Sequence, residues 1–398
     1  MTFLEIAKNL GITDYPQEMD AIYDSVKDGA KPLFDRALID RHHAQRELFG
    51  KYYEDVLRGY EDLLQHSDAY LYAQVAARYL QTTTHRQAKM IPVPEPDGSP
   101  ALDMLPLMVE LPMVDRGLAE FEKRGVSREQ AEEYITSVFR GDIAVNIRRH
   151  GRPGLDKLYF DWITLYLYGL IFPCRGFKFN LTASGKFFYV LKHKKDGTVA
   201  VLLHGRDIHR SGKILGSAGL EDKDGAFHVE VTETDTGWTG HASNEYCLVE
   251  RTPRFFSKTD WTLAVAPGDC VLAIHIPAGT ALTPEVARMA IRDAFSHAEK
   301  YYADYAPKAV HCSSWLLNPE LTDILGETSN IHAFAAMFHR YPVKCQGQGV
   351  FNFVFKTSVK PKPEDLPEDT RLQRALKAKY LAGSYLHNFA GYILPEDV

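Results

Sequence analysis

Hydrophobic positions along this chain fall into two rhythms. As far as about Gly154, apolar residues recur every three or four positions, the period of helices with one buried face. Met19, Ile22, Tyr23 and Val26 mark a short helix begun by Pro16, and Leu48, Tyr52, Val56, Tyr60 and Leu64 keep a four-residue step in a longer one over 38–64. The segment from Tyr70 to Tyr79 continues the bundle. The stretch from Ile91 to Pro100 holds four prolines and reads as a connector. A helix over 104–124 is expected to break near Pro112, and Ser127 with Gln130 is a capping-box start for a helix reaching Phe139. Gly151-Arg152-Pro153-Gly154 then punctuates the chain, so an all-α domain is predicted over 1–154 and a second domain over 155–398. The aromatic-rich run from Leu158 to Phe172 predicts a buried helix.

From Phe177 the rhythm shortens to that of strands. The segments 187–191 and 198–203 flank Lys194-Lys195-Asp196-Gly197, a hairpin signal. Further strands are expected at 227–232, 238–241, 261–265 and 350–357, with a polar, glycine-rich loop over 205–225 and a terminal helix over 369–381. The stretch from Val271 to Val343 organises this half. Val271-Leu272-Ala273-Ile274-His275-Ile276 predicts a buried strand. Thr283, Pro284 and Glu285 then supply an N-cap, a first helical position and a first-turn acid. Ala287, Ile291, Ala294, Phe295, Ala298, Tyr302 and Tyr305 give the helix one buried face. A strand over 309–315 follows, and Ser329-Asn330 opens another helix.

A loop that enters a helix presents unpaired backbone N–H groups, which with the helix dipole attract an anion such as a pyrophosphate. Ile276-Pro277-Ala278-Gly279-Thr280-Ala281 places small residues where a phosphate must approach closely, and it resembles the coenzyme A loop of GNAT-fold acyltransferases. Ile276 departs from the Arg/Gln of that pattern. Asn330 with Ala333 resembles the start of the helix beside the acyl-transfer site, with Met337 where a Tyr is often found. His311-Cys312-Ser313-Ser314-Trp315-Leu316-Leu317-Asn318-Pro319, Thr328-Ser329-Asn330-Ile331, Asp161-Trp162-Ile163-Thr164-Leu165-Tyr166, Pro267-Gly268-Asp269 and His275-Ile276-Pro277 resemble the bacterial two-domain acyltransferase-like family. That resemblance runs over most of the chain. It implies an α+β fold: a helical N-acyltransferase N-terminal domain followed by a GNAT-like mixed α/β domain with a central, mostly antiparallel sheet. It also implies acyl-CoA or acetyl-CoA as co-substrate, held by Ile276, Ala278, Gly279, Thr280, Ala281, Leu282 and Asn330.

Composition narrows the partners. The 398 residues leave room for two cores, and 45% hydrophobic with 25% charged residues is ordinary for a soluble globular protein. A net charge of −6 gives no electrostatic footprint for nucleic acid or an anionic membrane. The first residues lack the basic start and apolar core of a signal peptide. Five scattered cysteines without a CxxC pair predict reduced thiols in a cytoplasm, and no metal-ligand spacing is seen.

The expected chemistry is transfer of an acyl group to an amine of a small molecule or peptide. A lysine-like amine must lose a proton before it attacks, at roughly 4–5 kcal/mol at pH 7, so a general base helps. His275, at the end of the central strand beside the loop, is the first candidate. Cys312 on the neighbouring strand could protonate the leaving thiolate or accept the acyl group itself. Glu233 and Asp235, an acidic pair at a strand end, and Ser314, on the face of Cys312, are candidate acceptor contacts. Two other functions stay open: a non-catalytic module that binds CoA thioester or peptide, and a hydrolase or transferase with Cys312 as nucleophile.

Overall fold

The computed structural model describes all residues except Lys89, Pro96, Asp97, Ala278, Ser358 and Val359, and all of their side chains except those of Arg86, Gln87 and Leu158. The chain divides into two compact units, Met1–Phe172 and Pro173–Val398.

The first unit is helical: α1 (Phe3–Asn9), α2 (Glu18–Lys27), α3 (Arg36–Arg46), α4 (Tyr53–Gln65), α5 (Ser67–Thr82), α6 (His85–Ala88), α7 (Pro100–Glu110), α8 (Val114–Lys123), α9 (Arg128–His150) and α10 (Lys157–Leu167). The helix expected over 38–64 is two. Glu47 adopts the left-handed conformation (φ 49°) and a 3-10 turn over Gly50–Tyr52 separates α3 from α4. The break near Pro112 is a 3-10 turn over Leu111–Met113. Ser127 accepts the Gln130 amide, and the helix it starts runs to His150 before Gly151 closes it in the left-handed region (φ 70°).

Gly151–Gly154 is not a linker. The Arg152 guanidinium bonds Asp103 at 2.7 Å, the Asn146 amide donates to the Arg152 carbonyl, and the Leu155 N–H donates to the Asp103 carbonyl. A Cβ on Gly154 would stand 2.1 Å from that carbonyl oxygen. The segment is a tight turn that packs α10 beside α7, α8 and α9, so the division falls at Phe172 rather than Gly154. Among the described residues, no helix is long and apolar enough to cross a membrane.

The second unit follows as β1 (Ile171–Cys174, spanning the junction), β2 (Phe177–Ala183), β3 (Phe188–His193), β4 (Val199–Leu203), β5 (Arg206–Ile208), β6 (Phe227–Val229), β7 (Thr232–Glu233), β8 (Gly237–Ala242), β9 (Arg254–Ser257), β10 (Trp261–Val265), β11 (Cys270–His275), α11 (Pro284–Tyr301), β12 (Val310–Ser314), α12 (Leu321–Leu325), α13 (Asn330–Ala335), β13 (His339–Pro342), α14 (Gln348–Val350), α15 (Arg371–Leu381) and β14 (Phe389–Ile393). The first sheet has the order β1-β2-β11-β12-β14-β13, and the second β10-β3-β4-β8-β7 with β9 on β8. In the first sheet β11 and β12 are parallel, while β2–β11, β12–β14 and β13–β14 are antiparallel. The predicted hairpin is β3–β4.

Residues 350–357 do not form the expected strand. Val350, Phe351, Val354 and Phe355 are buried with Leu376 and Tyr380, a helical spacing that closes α14 with a π-helical turn over Phe351–Phe355. The last strand is β14, inserted between β12 and β13. Gly391 makes this insertion possible, because a Cβ there would stand 2.7 Å from the Phe338 Cβ.

One face of the first sheet packs on the second: Val271, Ala309, Tyr341, Ala390 and Tyr392 share a core with Val190, Val201, Leu203 and Val265. The other face carries the helices, and Phe334 of α13 lies parallel to the Phe177 ring with centroids 6.1 Å apart.

Candidate functional site

The central pair β11–β12 is joined over a short length. Its register consists of Leu272↔Val310 and Ala273↔His311. Beyond these, Ile274 and His275 pair with Phe179 and Lys178 of β2, and Cys312, Ser313 and Ser314 pair with Gly391, Ala390 and Phe389 of β14. The C-terminal ends of the two parallel strands therefore part, leaving a gap in the middle of the sheet. The gap is open: Ala273, His275 and His311 are only half-buried and Ser313 is exposed.

The loop from β11 to α11 begins at this gap. Among the described residues the amides of Gly279, Ala281, Leu282 and Thr283 donate no hydrogen bond, so four N–H groups are idle where the chain enters a helix. Thr280 holds the loop by bonding the carbonyls of Pro277 (2.8 Å) and Gly176 (3.1 Å). Gly279 has φ +85° with open space where a Cβ would point. Thr283 caps α11 and Pro284 is its first residue, as the sequence predicts. Ala278 lies outside the described residues. Ile276 and Leu282 are half-buried, and Asn330 is the first residue of α13, capped by Ser329.

Side-chain alternation sorts the candidates by face. His275, Ala273, His311 and Ser313 share the face that turns toward the second sheet, while Cys312, Ile274 and Ser314 share the helix-bearing one. The structure thus does not bring Cys312 to His275. Cys312 is 2% exposed, and burial pushes its thiol up to about 12. Ser314 is occupied in accepting the Leu316 amide at 3.2 Å. Glu233 lies on β7, the edge of the other sheet, where its carboxylate pairs with Lys258 at 2.7 Å, and Asp235 is exposed in the turn beyond. Neither is part of the gap. Cys312→Ser is accordingly expected to retain acyl transfer, with intact-protein mass spectrometry finding no acyl adduct; a stable adduct on Cys312 would reinstate it as nucleophile.

His311, and not Cys312, shares the face of His275. It stands opposite Ala273, two residues short of His275 along the sheet, and bonds the Tyr341 hydroxyl at 3.0 Å. Tyr341 is in turn bonded to Tyr392, whose ring centroid lies 4.8 Å from that of His311. Across the gap His275 donates from Nε2 to the Asn180 carboxamide oxygen at 2.5 Å. Burial lowers both imidazoles to about 4, with Lys178 adding to the effect on His275 and His275 adding to that on His311. Both rings are neutral at pH 7 and anchored by a hydrogen bond. His311, Asn180, Tyr341 and Tyr392 could be found only from register; the one sequence signal was polar residues alternating in a central strand.

Two clefts of about 330 and 320 Å³ lie elsewhere, the first lined by Ser243, Cys247, Glu250 and His339 among others, the second by Arg206, Glu221 and Lys344 among others. Neither is lined by the gap. Among the described residues no three His, Cys, Asp or Glu side chains are grouped to hold a metal ion.

A strand pair that parts, an amide-lined loop and a helix behind it define the GNAT class of α+β fold. The family model described as the GNAT-like C-terminal domain matches residues 188–393, and the chain belongs to that family. Solved structures share the fold along the full length. An acyltransferase mutant in complex with octanoyl-CoA superposes with TM-score 0.64, an acyltransferase in complex with CoA and 10C-teicoplanin with 0.63, and an acyltransferase in complex with decanoyl-CoA and teicoplanin with 0.62. Each is 16% identical to this chain, with 99% of both chains covered. No curated protein matches the sequence significantly.

Proposed function

We propose that the protein transfers an acyl group from acyl-CoA to an amine of a small molecule or peptide. The observation that carries this reading is the gap between β11 and β12 together with the four idle amides that follow it. A pyrophosphate at Gly279–Thr283 would satisfy those amides, and the pantetheine arm could then extend along β11 with its thioester in the gap. The solved neighbours bind CoA or acyl-CoA, which supports the same co-substrate here.

The chemistry asked of the side chains is modest, because a thioester is already activated and positioning does much of the work. As the amine nitrogen bonds to the carbonyl carbon, its proton passes to an imidazole at the gap, for which His275 is proposed. The tetrahedral intermediate then collapses, the C–S bond breaks, and the CoA thiolate takes up a proton. Acyl-CoA and amine become amide and free CoA.

Calorimetry with CoA tests the loop. Gly279→Val places a β-branched residue in the left-handed region, a strain of roughly 1–2 kcal/mol, and crowds the amides. Affinity should fall several-fold or more, and an unchanged affinity would remove CoA from this loop. Wild-type protein that binds acyl-CoA yet acylates no amine would leave the non-catalytic module as the function.

A further inference from the structure

The second of the two clefts, of about 320 Å³, carries more positive charge than its own acids balance: Arg206, Lys223 and Lys344 line it, against Asp207 and Glu221. Asp207 is already engaged by His228 at 2.7 Å, and Glu221 accepts the Gly219 amide at 3.1 Å within its own turn. Among the described residues no carboxylate pairs with Arg206, Lys223 or Lys344. The Arg206 guanidinium carbon stands over the Phe187 ring, 3.4 Å from its centroid. At that distance the guanidinium meets the ring with its face, which leaves the N–H edge for an acceptor lying in its plane. Among the described residues no protein group accepts from that edge. The Lys344 ammonium rests against the backbone of Gly216, 3.9 Å from where a Cβ would stand there.

We infer that this cleft is a binding site for the phosphate monoester of a small molecule, with Arg206 as its anchor and Lys223 and Lys344 as flanking charges. A planar guanidinium donates two parallel N–H bonds to phosphate oxygens, and the ammonium groups add point charge, a combination suited to a dianion. The volume exceeds that of a bare phosphate ion and leaves room for the carbon skeleton that carries it. The position gives the site a use. Pro342, Phe389 and Ser314 stand level across β13, β14 and β12, and Lys344 lies just beyond Pro342. The cleft therefore lies toward the end of the sheet at which β11 and β12 part, with β13 about 10 Å from β12 by strand spacing. A phosphate held there belongs to a molecule that reaches the gap or to the adenosine end of CoA. The recognition chemistry is the same for both, and it does not depend on acyl transfer.

Calorimetry with glycerol phosphate, glycerate and glycerol tests the site on the full chain. Glycerol phosphate should bind in the millimolar range or tighter and more weakly as salt is added, glycerate several-fold more weakly, and glycerol not at all. Arg206→Met keeps a side chain over the Phe187 ring and removes the fork, so affinity should fall at least about tenfold, as loss of a charge-assisted hydrogen bond does. Lys344→Met, at an exposed position, should cost a few-fold and serves if the Arg206 variant fails to fold. No binding of glycerol phosphate, or equal affinity for glycerate, overturns the inference. Binding that survives both substitutions belongs elsewhere, such as the loop over Gly279–Thr283, and overturns it as well. Titrating wild type and Arg206→Met with CoA and with dephospho-CoA then identifies the source. A loss seen with CoA and absent with dephospho-CoA gives the cleft to the co-substrate, and an unchanged CoA affinity gives it to a separate phosphorylated molecule. The inference holds in both cases.

Discussion

His275→Gln is expected to lower kcat by roughly 10²-fold or more while CoA affinity stays within a few-fold, as loss of a general base does. The side chain ends β11 at the lip of the gap, and glutamine keeps a polar head within reach of Asn180 but cannot carry a proton. Burial, reinforced by the Lys178 cation, holds the His275 imidazole down to about 4. A base must be neutral to act, so the wild-type rate should fall as pH drops through about 4 and should show no inflection from this group near 6.5. The variant should lack that acid limb. Steady-state kinetics across pH, paired with calorimetry for CoA, read both halves. Equal loss of binding and rate would make His275 structural, and a variant as fast as wild type would exclude it from the chemistry.

How far the site could be read in advance depended on whether its parts were local. The strand, the loop and the helix start were legible because each is fixed by its own neighbours: Thr283 caps Val286, and Pro284 occupies the position where its missing N–H costs nothing. The facing of His275 and Cys312 was not, because it depends on pairing between strands. Alternation within 310–314 separates His311 from Cys312, but only the register Ala273↔His311 shows which of them stands on the side of His275. The chemistry of the β12 lip changes from a buried thiol to an anchored imidazole on that one fact.

The same distinction runs through the fold. The hairpin β3–β4 was visible from Asp196-Gly197, a turn that sets its own register. The strand β14 left no comparable trace, since all five of its residues are buried on both faces and its partners lie far off in sequence. Residues 350–355 misled in the opposite direction: a Val- and Phe-rich run has strand composition, yet its buried positions follow a helical period once Leu376 and Tyr380 pack against it. Gly151–Gly154 looked like a domain boundary because a tight turn against α7 and a flexible linker use the same residues.

The second large effect is on stability and comes from the helical unit. Glu110 ends α7 with its side chain fully buried, and among the described residues neither carboxyl oxygen has a hydrogen-bond partner. Burial, then Asp142 and Asp161, pushes this carboxyl well above the usual carboxylate range. In the unfolded chain it would ionise near 4.3. Between those two values the native state holds a proton that the unfolded state has lost, so stability is fully present below about 4.3 and declines as pH rises, by up to about 1.4 kcal/mol per pH unit until the native group ionises. His42, His275, His297 and His311 are all held down to about 4 and act with the opposite sign, but their contribution is complete once pH passes about 6.5. The interval from about pH 7 to pH 8 is therefore free of these imidazoles and lies below the range where the buried thiols of Cys174 and Cys312, also pushed up by burial, begin to act in the same direction as Glu110. Glu110→Gln keeps the shape and cannot ionise. In urea denaturation its advantage over wild type should widen from pH 5 to pH 8, with the helical unit of the variant losing less stability over that interval. A difference between the two proteins that stays constant with pH would mean that Glu110 is ionised in the native state, with a counter-charge compensating it inside the bundle.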